Sequence, residues 1–277
     1  MFISKLTKIF FFLSLSYNFS ASAESVQYAD TITFITAPTH SKQKTKEIYT
    51  PITDYLSKKA GIEVKLIYPI NFLDYINKMR KGSYDITFDG PHFASWRIKN
   101  LGDAPVARLP GQIKIAIITK AQHSRFNNMD DLVGQRICAF ASPNLLTMAY
   151  LDNYENPVRL PVTVPAKGFK GLVKCLKDNK GKAAVLRDKM WNKMDKTGLK
   201  LISIPENAYP DRTFTLSSKI DLATQLVIQK ALTSPEAEAP LSKLLKTFKK
   251  PKLITASKEE YDGVDQLLKP IWAFKTR

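Results

Sequence analysis

Residues 82–91 read Gly82-Ser83-Tyr84-Asp85-Ile86-Thr87-Phe88-Asp89-Gly90-Pro91, a strand pattern that leads straight into a helix start. The apolar and β-branched residues from Tyr84 to Phe88 are typical of a short strand. Gly90 and Pro91 follow at once, and proline suits the first position of a helix. We therefore predict a strand whose carboxyl end opens directly into a helix that continues through Trp96.

The same order of elements extends towards the amino terminus. There we predict strands at 31–36 and 62–68 and helices at 45–60 and 72–80, the last ending at Gly82. Pro51 lies within the first of these helices. It predicts either a kink at that position or a helix that begins with Thr50 as its cap and Pro51 as its first residue.

Strands and helices also alternate towards the carboxyl terminus. The predicted strands are 114–119, 136–140, 158–164, 183–186 and 199–204, and the predicted helices are 129–132, 145–153 and 169–177, followed by 220–232, 237–248 and 258–268. Alternation of this kind predicts an α/β fold with mostly parallel sheets flanked by helices. Ligand sites in such folds lie at the carboxyl ends of the strands.

The composition narrows the classes of protein that the chain can belong to. Its 277 residues, 44% of them hydrophobic, suffice for about two domains. Only two cysteines are present, which excludes a disulfide-dense miniprotein and a four-cysteine zinc module. The net charge of +17 suits nucleic acid, acidic membranes or small anions as partners. The Lys-rich stretch at 246–252 is interpreted as solvated surface.

The amino terminus indicates export. Lys5 and Lys8 precede the apolar run from Ile9 to Leu15, and Ala21-Ser22-Ala23 has the small-x-small form of a signal peptidase site. We expect residues 1–23 to be a cleaved signal peptide; an amino-terminal strand or an uncleaved anchor is the alternative. Cleavage removes two lysines and no acidic residue, so the net charge becomes +15. Without a lipidation cysteine the protein should lie free in the periplasm, where nucleic acid is scarce.

Catalytic motifs are missing from the sequence. It contains no G-x-S-x-G elbow, no P-loop and no G-x-G-x-x-G fingerprint. The three histidines, His40, His92 and His123, lack metal-ligand spacing. Asp85 and Asp89 have the residue type for acid and base, although Asp85 also fits a plain strand position. We expect a protein that is not an enzyme and that needs no metal and no cofactor.

Four stretches in order resemble one known family. They are Tyr55-Leu56-Ser57 before Gly61; Gly82-Ser83-Tyr84-Asp85-Ile86 with Asp89-Gly90-Pro91; Asp131-Leu132-Val133-Gly134-Gln135 with Ala139-Phe140-Ala141-Ser142-Pro143; and Ala183-Ala184-Val185 with Trp191. Because these four stretches occur in this order, the chain resembles the phosphate/phosphonate-type, PhnD-like periplasmic substrate-binding proteins of ABC transporters. The resemblance implies the type 2 periplasmic binding protein fold, with two lobes and a ligand held in the cleft between them.

The resemblance also implies how the chain divides. Lobe one should comprise residues 24–112 and 208–277, and lobe two residues 113–207, with a hinge of two crossovers. Cys138 and Cys175 would then lie in the same lobe. In an oxidising compartment we expect them to form a disulfide; two buried thiols are the alternative.

Most of the predicted ligand contacts lie in segments that come directly after a predicted strand. A helix start can hold an oxyanion with its backbone amides, and Asp89 to His92 and Ser142 to Thr147 both have this form. Ordinary capping explains the same residues. The family's phosphonate binders have a Ser-Thr-Ser-Gly-like segment where this chain reads Asn144-Leu145-Leu146-Thr147, so the fold carries over more firmly than phosphonate specificity. The full set is Thr36, Pro38, Tyr68, Asp89, Gly90, Pro91, His92, Ser142, Asn144, Thr147, Lys167 and Arg187.

The function predicted from these features is capture of a small anion. We expect a monomeric periplasmic protein that closes on phosphate, a phosphonate or a related oxyanion and presents it to an inner-membrane ABC permease, with no nucleic-acid partner. A sensory role with a membrane receptor is the first alternative. A secreted enzyme on the same scaffold and a binder of anionic envelope polymers are the others.

Overall fold

The computed structural model describes residues 31–271 and Phe274, so the predicted signal peptide lies outside the described residues. The strands are β1 (Thr31–Thr36), β2 (Glu63–Leu66), β3 (Ile86–Asp89), β4 (Ala104–Arg108), β5 (Gln112–Ile113), β6 (Ile115–Lys120), β7 (Arg136–Ala139), β8 (Val162–Pro165), β9 (Ala183–Arg187), β10 (Leu199–Ser203), β11 (Tyr209–Pro210), β12 (Thr213–Leu216) and β13 (Ile254–Thr255). The helices are α1 (Lys42–Ala60), α2 (Phe72–Lys81), α3 (Pro91–Leu101), α4 (Leu145–Leu151), α5 (Gly168–Lys177), α6 (Asp188–Lys193), α7 (Leu222–Thr233) and α8 (Glu238–Phe248).

Two mixed sheets organise these elements. The first has the order β13-β4-β12-β3-β1-β2 and the second the order β10-β6-β9-β7-β8. In the first sheet β1 is parallel to β2 and β3, whereas β12 runs antiparallel to β3 and β4. In the second sheet β7 is parallel to β8 and β9, whereas β6 is antiparallel to β9 and β10. The α/β class is as predicted, but the sheets are mixed rather than mostly parallel.

Each sheet is the centre of one lobe. The first sheet takes its strands from residues 31–108 and 213–255, and the second takes its strands from residues 115–203. Between them, β5 and β11 pair antiparallel where the chain leaves the first sheet and where it returns. The two-lobed α/β fold is therefore as predicted. The residue boundaries at 112/113 and 207/208 stay a prediction.

Helices cover the sheets and bury the core. Ile48, Ile52 and Leu56 on one face of α1 pack with Phe34 of β1 and with apolar residues of α7 and α8. Tyr75 and Met79 of α2 pack in a separate cluster with Ile35, on the other face of the same sheet. Burial on both faces explains why β1 carries two consecutive apolar residues, Phe34 and Ile35. Along the described chain, no helix combines the length and the apolar character that a membrane crossing requires.

Two predicted helices differ from the observed ones. Helix α1 begins at Lys42, where the Ser41 hydroxyl accepts a hydrogen bond from the Lys44 amide, and it continues through Pro51. A helix start at Thr50 is therefore wrong. The segment 258–268 forms two short 3₁₀ turns rather than one α-helix, because Gly263 between them has a φ of 74°. The predicted strand at 158–164 begins only at Val162.

A disulfide between Cys138 and Cys175 joins β7 to α5 within the second lobe, as predicted. The chain approaches it closely at Gly181. A Cβ atom at Gly181 would lie 2.8 Å from Cys138 Sγ and 3.0 Å from the Arg136 carbonyl oxygen. Since real Cβ atoms do not come so close to sulfur or backbone atoms, only glycine fits beside this disulfide.

The carboxyl-terminal 3₁₀ turn contacts both lobes. Val264 and Leu267 pack in a core cluster with α4 of the second lobe. Leu268, one residue further on, packs with Tyr75 and Phe93 of the first lobe. The region assigned to lobe one alone therefore includes a segment that spans the two lobes.

Candidate ligand site between the lobes

One edge of the first sheet collects the ends of several strands. Strands β1 and β3 are parallel and end there at Thr36 and Asp89. Strand β12 is antiparallel, so its first residue, Thr213, pairs with Asp89 and with Arg108 at the end of β4. Arg212, which directly precedes β12, therefore lies at the same edge. We call this the cleft edge of the first lobe.

The second sheet has an equivalent edge. Strands β7, β8 and β9 run parallel to one another, and β9 ends at Arg187. The segments that follow them, including Ser142 to Asn144 and Lys167, therefore start from one edge. The structure brings these sequence-predicted residues to the cleft edge of the second lobe.

The two cleft edges touch at His92. Its Nε2 lies 2.9 Å from the carbonyl oxygen of Pro143. Because a carbonyl can only accept, Nε2 must carry the proton, and Nδ1 is left without a hydrogen-bond partner among the described residues. The imidazole is buried and stacks on Phe93, and burial lowers the pKa of His92 to about 4. His92 therefore joins the lobes as a neutral group at neutral pH.

Gly90 gives the His92 ring its space. A Cβ atom at Gly90 would lie 2.7 Å from His92 Cε1. Gly90 is also the N-cap of α3 and supplies no capping side chain. Glycine at this position thus permits the contact between the lobes and leaves the helix start open.

A cavity of about 630 Å³ lies on the first-lobe side of the cleft. Its apolar wall consists of Pro38, Tyr68, Pro69, Ile70 and Phe72. Its polar lining consists of Thr36, His40, Ser41, Lys42, Thr45 and Asn71. The predicted residues Thr36, Pro38 and Tyr68 are thus brought together, on the loops that follow β1 and β2.

The carboxylate of Asp89 is bound within the first lobe. Arg97 Nη1 and Nη2 donate to its two oxygens at 2.9 Å and 2.6 Å, and the Tyr75 hydroxyl donates to it as well. All three side chains are buried. The side chain of Asp89 is therefore fixed by contacts within the first lobe. A direct contact between this side chain and a ligand stays a prediction.

At the helix start of the second lobe, two of the predicted side chains are hydrogen-bonded within the lobe. Asn144 Oδ1 accepts a hydrogen bond from the Leu146 amide, and Thr147 Oγ1 donates to the Phe140 carbonyl oxygen at 2.7 Å. Thr147 is buried, whereas Ser142 is exposed and its hydroxyl reaches only Met148 Sδ. Of these three predicted contacts, Ser142 has the most accessible hydroxyl.

Arg187 belongs to an ion-pair cluster at the hinge. Its Nη2 lies 2.9 Å from Asp211 Oδ2, and Lys250 Nζ lies 3.2 Å from the same oxygen. Burial alone would raise the pKa of Asp211, but the charge of Arg187 and its hydrogen bond hold that pKa below the ordinary value. Lys250 is largely buried here, so the interpretation of 246–252 as wholly solvated surface is wrong. Lys167 is exposed.

Arg212 is a functional candidate that the sequence analysis missed. Its guanidinium lies 4.5 Å above the Phe248 ring and 3.9 Å from Asp211 Oδ1. Among the described residues it donates no side-chain hydrogen bond. It is close enough to His40 that, after burial, its charge is the next cause that lowers the pKa of that imidazole. The alternation Thr213-Phe214-Thr215-Leu216 is the sequence signal that would have placed Arg212 at a strand start.

No group of three or more His, Cys, Asp or Glu side chains in the described part of the chain is arranged to hold a metal ion. The available chemistry is that of cations, amides and an apolar wall. Such a site can bind an anion.

Solved structures with a similar fold are binding proteins. PhnD1 from Prochlorococcus marinus in complex with methylphosphonate is 13% identical, with a TM-score of 0.65 over 87% of this chain and 98% of that chain. XAC2383 from Xanthomonas citri bound to ATP is 11% identical, with a TM-score of 0.71 over the same shares. A binding protein component of an ABC phosphonate transporter from Pseudomonas aeruginosa is 17% identical, with a TM-score of 0.61 over 86% and 85%.

The sequence comparisons identify the family of the chain more directly than the fold does. A search of curated proteins found no match. The sequence profile described as "ABC transporter, phosphonate, periplasmic substrate-binding protein" matches residues 34–261, which include both cleft edges and all of both sheets except the first three residues of β1. The chain therefore belongs to the phosphonate family of periplasmic substrate-binding proteins of ABC transporters.

Proposed function

We propose that this protein closes its two lobes on a small anionic ligand, a phosphonate, phosphate or related oxyanion, and presents it to an ABC permease. The observation that carries the proposal is the meeting of the two cleft edges at His92 and Pro143, together with the 630 Å³ cavity that Thr36 lines at the cleft edge of the first lobe. A ligand held between two such edges contacts both lobes. It therefore favours the closed form over the open one.

The charge of the ligand is inferred from Arg212. The Arg212 guanidinium is partly exposed, its nearest carboxylate oxygen lies 3.9 Å away, and it donates no side-chain hydrogen bond among the described residues, so its donors are available to a ligand. An oxyanion offers the paired acceptors that a guanidinium binds best. The open start of α3 adds a helix dipole that favours negative charge at the same edge. Methylphosphonate and ATP, bound by PhnD1 and XAC2383, both carry phosphorus oxyanions.

Location and partners follow from the same proposal. The leader at residues 1–23 would deliver the chain to the periplasm, where it would act as a monomer and without a nucleic-acid partner. Capture and release require no bond to be made or broken, so the protein would not be an enzyme. The ligand contacts would come from Arg212 together with those members of the predicted set whose polar atoms are not already bonded within their own lobe.

Ligand-dependent stabilisation tests the proposal. The protein is unfolded and refolded to remove bound molecules, and its melting temperature is measured with phosphate, phosphonates, sulfonates, carboxylates and amino acids. A ligand at 100 times its Kd should stabilise the fold by about 2.7 kcal/mol. Refolded protein that melts at one temperature with every compound would rule out the proposal.

The alternatives have separate outcomes. Binding that disappears at high salt and that needs a polyanion would indicate an envelope polymer as ligand. Saturable binding of a small anion together with co-purification of a membrane receptor, and of no permease, would indicate a sensor. Turnover of the bound compound, followed by mass spectrometry, would indicate an enzyme.

A further inference from the structure

The cavity is larger than a bare oxyanion requires. A tetrahedral oxyanion with five heavy atoms takes up only roughly two to three times the ~30 Å³ of a water molecule. The cavity measures about 630 Å³, and volumes of about 300 to 1,000 Å³ are typical of sites that bury much larger organic ligands. Most of the space therefore lies beyond what a phosphate or methylphosphonate would fill.

The residues that line the cavity divide it chemically. The wall from Tyr68 to Ile70, continued by Phe72, presents an aromatic ring, a proline and an aliphatic side chain in succession. Lys42 and His40 lie in the polar part, and the Lys42 ammonium is 5.2 Å from the centre of the Tyr68 ring. The Lys42 ammonium thus lies at the boundary between the polar and the apolar part of the cavity.

Within the apolar wall, Ile70 is unusual because its side chain is almost fully exposed. It is 88% exposed although it lines a cavity, and Leu73 nearby is 58% exposed. Its backbone is fixed, because the Ile70 amide donates to Asp74 Oδ2 at 2.9 Å. A large aliphatic side chain held in the mouth of a charged cleft gains stability only when an apolar group covers it.

We infer that the ligand is an organic anion with an apolar or aromatic body, whose charged head faces Arg212 and whose body lies against Tyr68 and Ile70. This inference rests on the proposed function and specifies its ligand class. The charged head supplies the acceptors for the guanidinium, while the body fills the volume that an inorganic oxyanion would leave to water. Burial of the body removes apolar surface of both partners from water and so adds affinity.

The test compares two ligands of equal charge and different body. Calorimetry on stripped protein measures the affinities for methylphosphonate and phenylphosphonate. Phenylphosphonate should bind at least tenfold more tightly. Ile70→Thr should weaken phenylphosphonate binding several-fold more than methylphosphonate binding, whereas Val158→Thr, at another exposed β-branched residue in the second lobe, should change neither affinity.

The outcomes separate the inference from the proposed function. Methylphosphonate that binds as tightly as phenylphosphonate would overturn the inference and leave the proposed function standing. An unchanged preference in Ile70→Thr would also overturn it, because the apolar wall would then face the other lobe or a second copy of the chain. Protein that binds neither phosphonate nor any other anion would overturn both.

Discussion

The cleft edges of the two lobes both carry polar side chains after a strand, but those side chains bind different partners. In the second lobe, Asn144 and Thr147 are hydrogen-bonded to their own backbone. In the first lobe, Arg212 donates no side-chain hydrogen bond among the described residues, and His92 reaches across to the other lobe. A polar residue at a strand end is thus available to a ligand only when the local fold leaves its atoms without a partner.

The lobes also differ in what stabilises them. A buried network of Arg97, Asp89 and Tyr75 lies beneath the first-lobe site. A disulfide between Cys138 and Cys175 crosses the second lobe. The first arrangement depends on charge pairing in a dry interior, and the second depends on a covalent constraint on the unfolded chain.

Loss of the ion pair between Arg97 and Asp89 should have the largest effect on stability. Arg97→Met leaves the Asp89 carboxylate buried without its cation, and the free energy of unfolding should fall by about 3 to 5 kcal/mol in urea denaturation. Lys99→Met on the same helix removes an exposed partner of Asp265 and should cost under ~1 kcal/mol. Equal losses in the two variants would contradict the role assigned to the buried pair.

Removal of the disulfide should have the next largest effect. The two cysteines are 37 residues apart, so replacement of both by alanine should lower the free energy of unfolding. The loss in the chain-entropy model is about 3 to 4 kcal/mol. Thiol titration of denatured, unreduced protein checks that the bond exists, and two free thiols would end the claim.

Ligand affinity should distinguish the two cleft edges directly. Arg212→Met should weaken anion binding by about 1.5 to 3 kcal/mol, because it removes charged hydrogen-bond donors. Thr147→Val should leave affinity unchanged, since that hydroxyl is bonded to Phe140. Lys246→Ala, at an exposed lysine, is the control for long-range attraction. Calorimetry that finds equal losses in all three, all removed by salt, would favour polymer binding.

The His92 contact should give the smallest effect, visible as a pH dependence. Burial lowers the pKa of His92 in the folded state from 6.5 to about 4. The unfolded chain therefore binds more protons between these values, and stability falls as the pH falls through them. From pH 7 to pH 5 the loss is about 2 kcal/mol.

A variant isolates this contribution from that of other groups. Burial raises the pKa of Asp103 to about 6, which changes stability with pH in the opposite direction. His92→Gln retains Asp103, so it should lose about 2 kcal/mol less than the parent protein between pH 7 and pH 5. Urea denaturation at both pH values measures the difference. Identical pH dependence of the two proteins would show that His92 is not buried as a neutral group.

Most of the local structure could be predicted from the sequence. Alternation from Thr31 to Thr36 identified β1, and Gly82 identified the end of α2. The α/β class followed from local patterns, the family from the resemblance of four stretches, and the disulfide from the compartment and that resemblance. The predictions that failed were the start of α1, the start of the strand at 158–164 and the shape of 258–268, where the backbone of Gly263 interrupts the helical pattern. Strands β4 and β12 were not predicted.

The sequence by itself determined most of the alternation of strands and helices, because periodicity and turn residues act over a few positions, but it did not reveal β4 and β12 of the first sheet. The sequence also showed that polar residues directly follow several of the strands. Only the tertiary structure decided which of them are free: Asp89 is bound by Arg97, Thr147 by Phe140, and Arg212 is left without a side-chain hydrogen bond among the described residues. Arg97 is only eight residues from Asp89, and Thr147 is only seven residues from Phe140, so these partners are set by how each helix packs on the strand that precedes it. Availability to a ligand is a property of that packing, which residue type and periodicity do not specify.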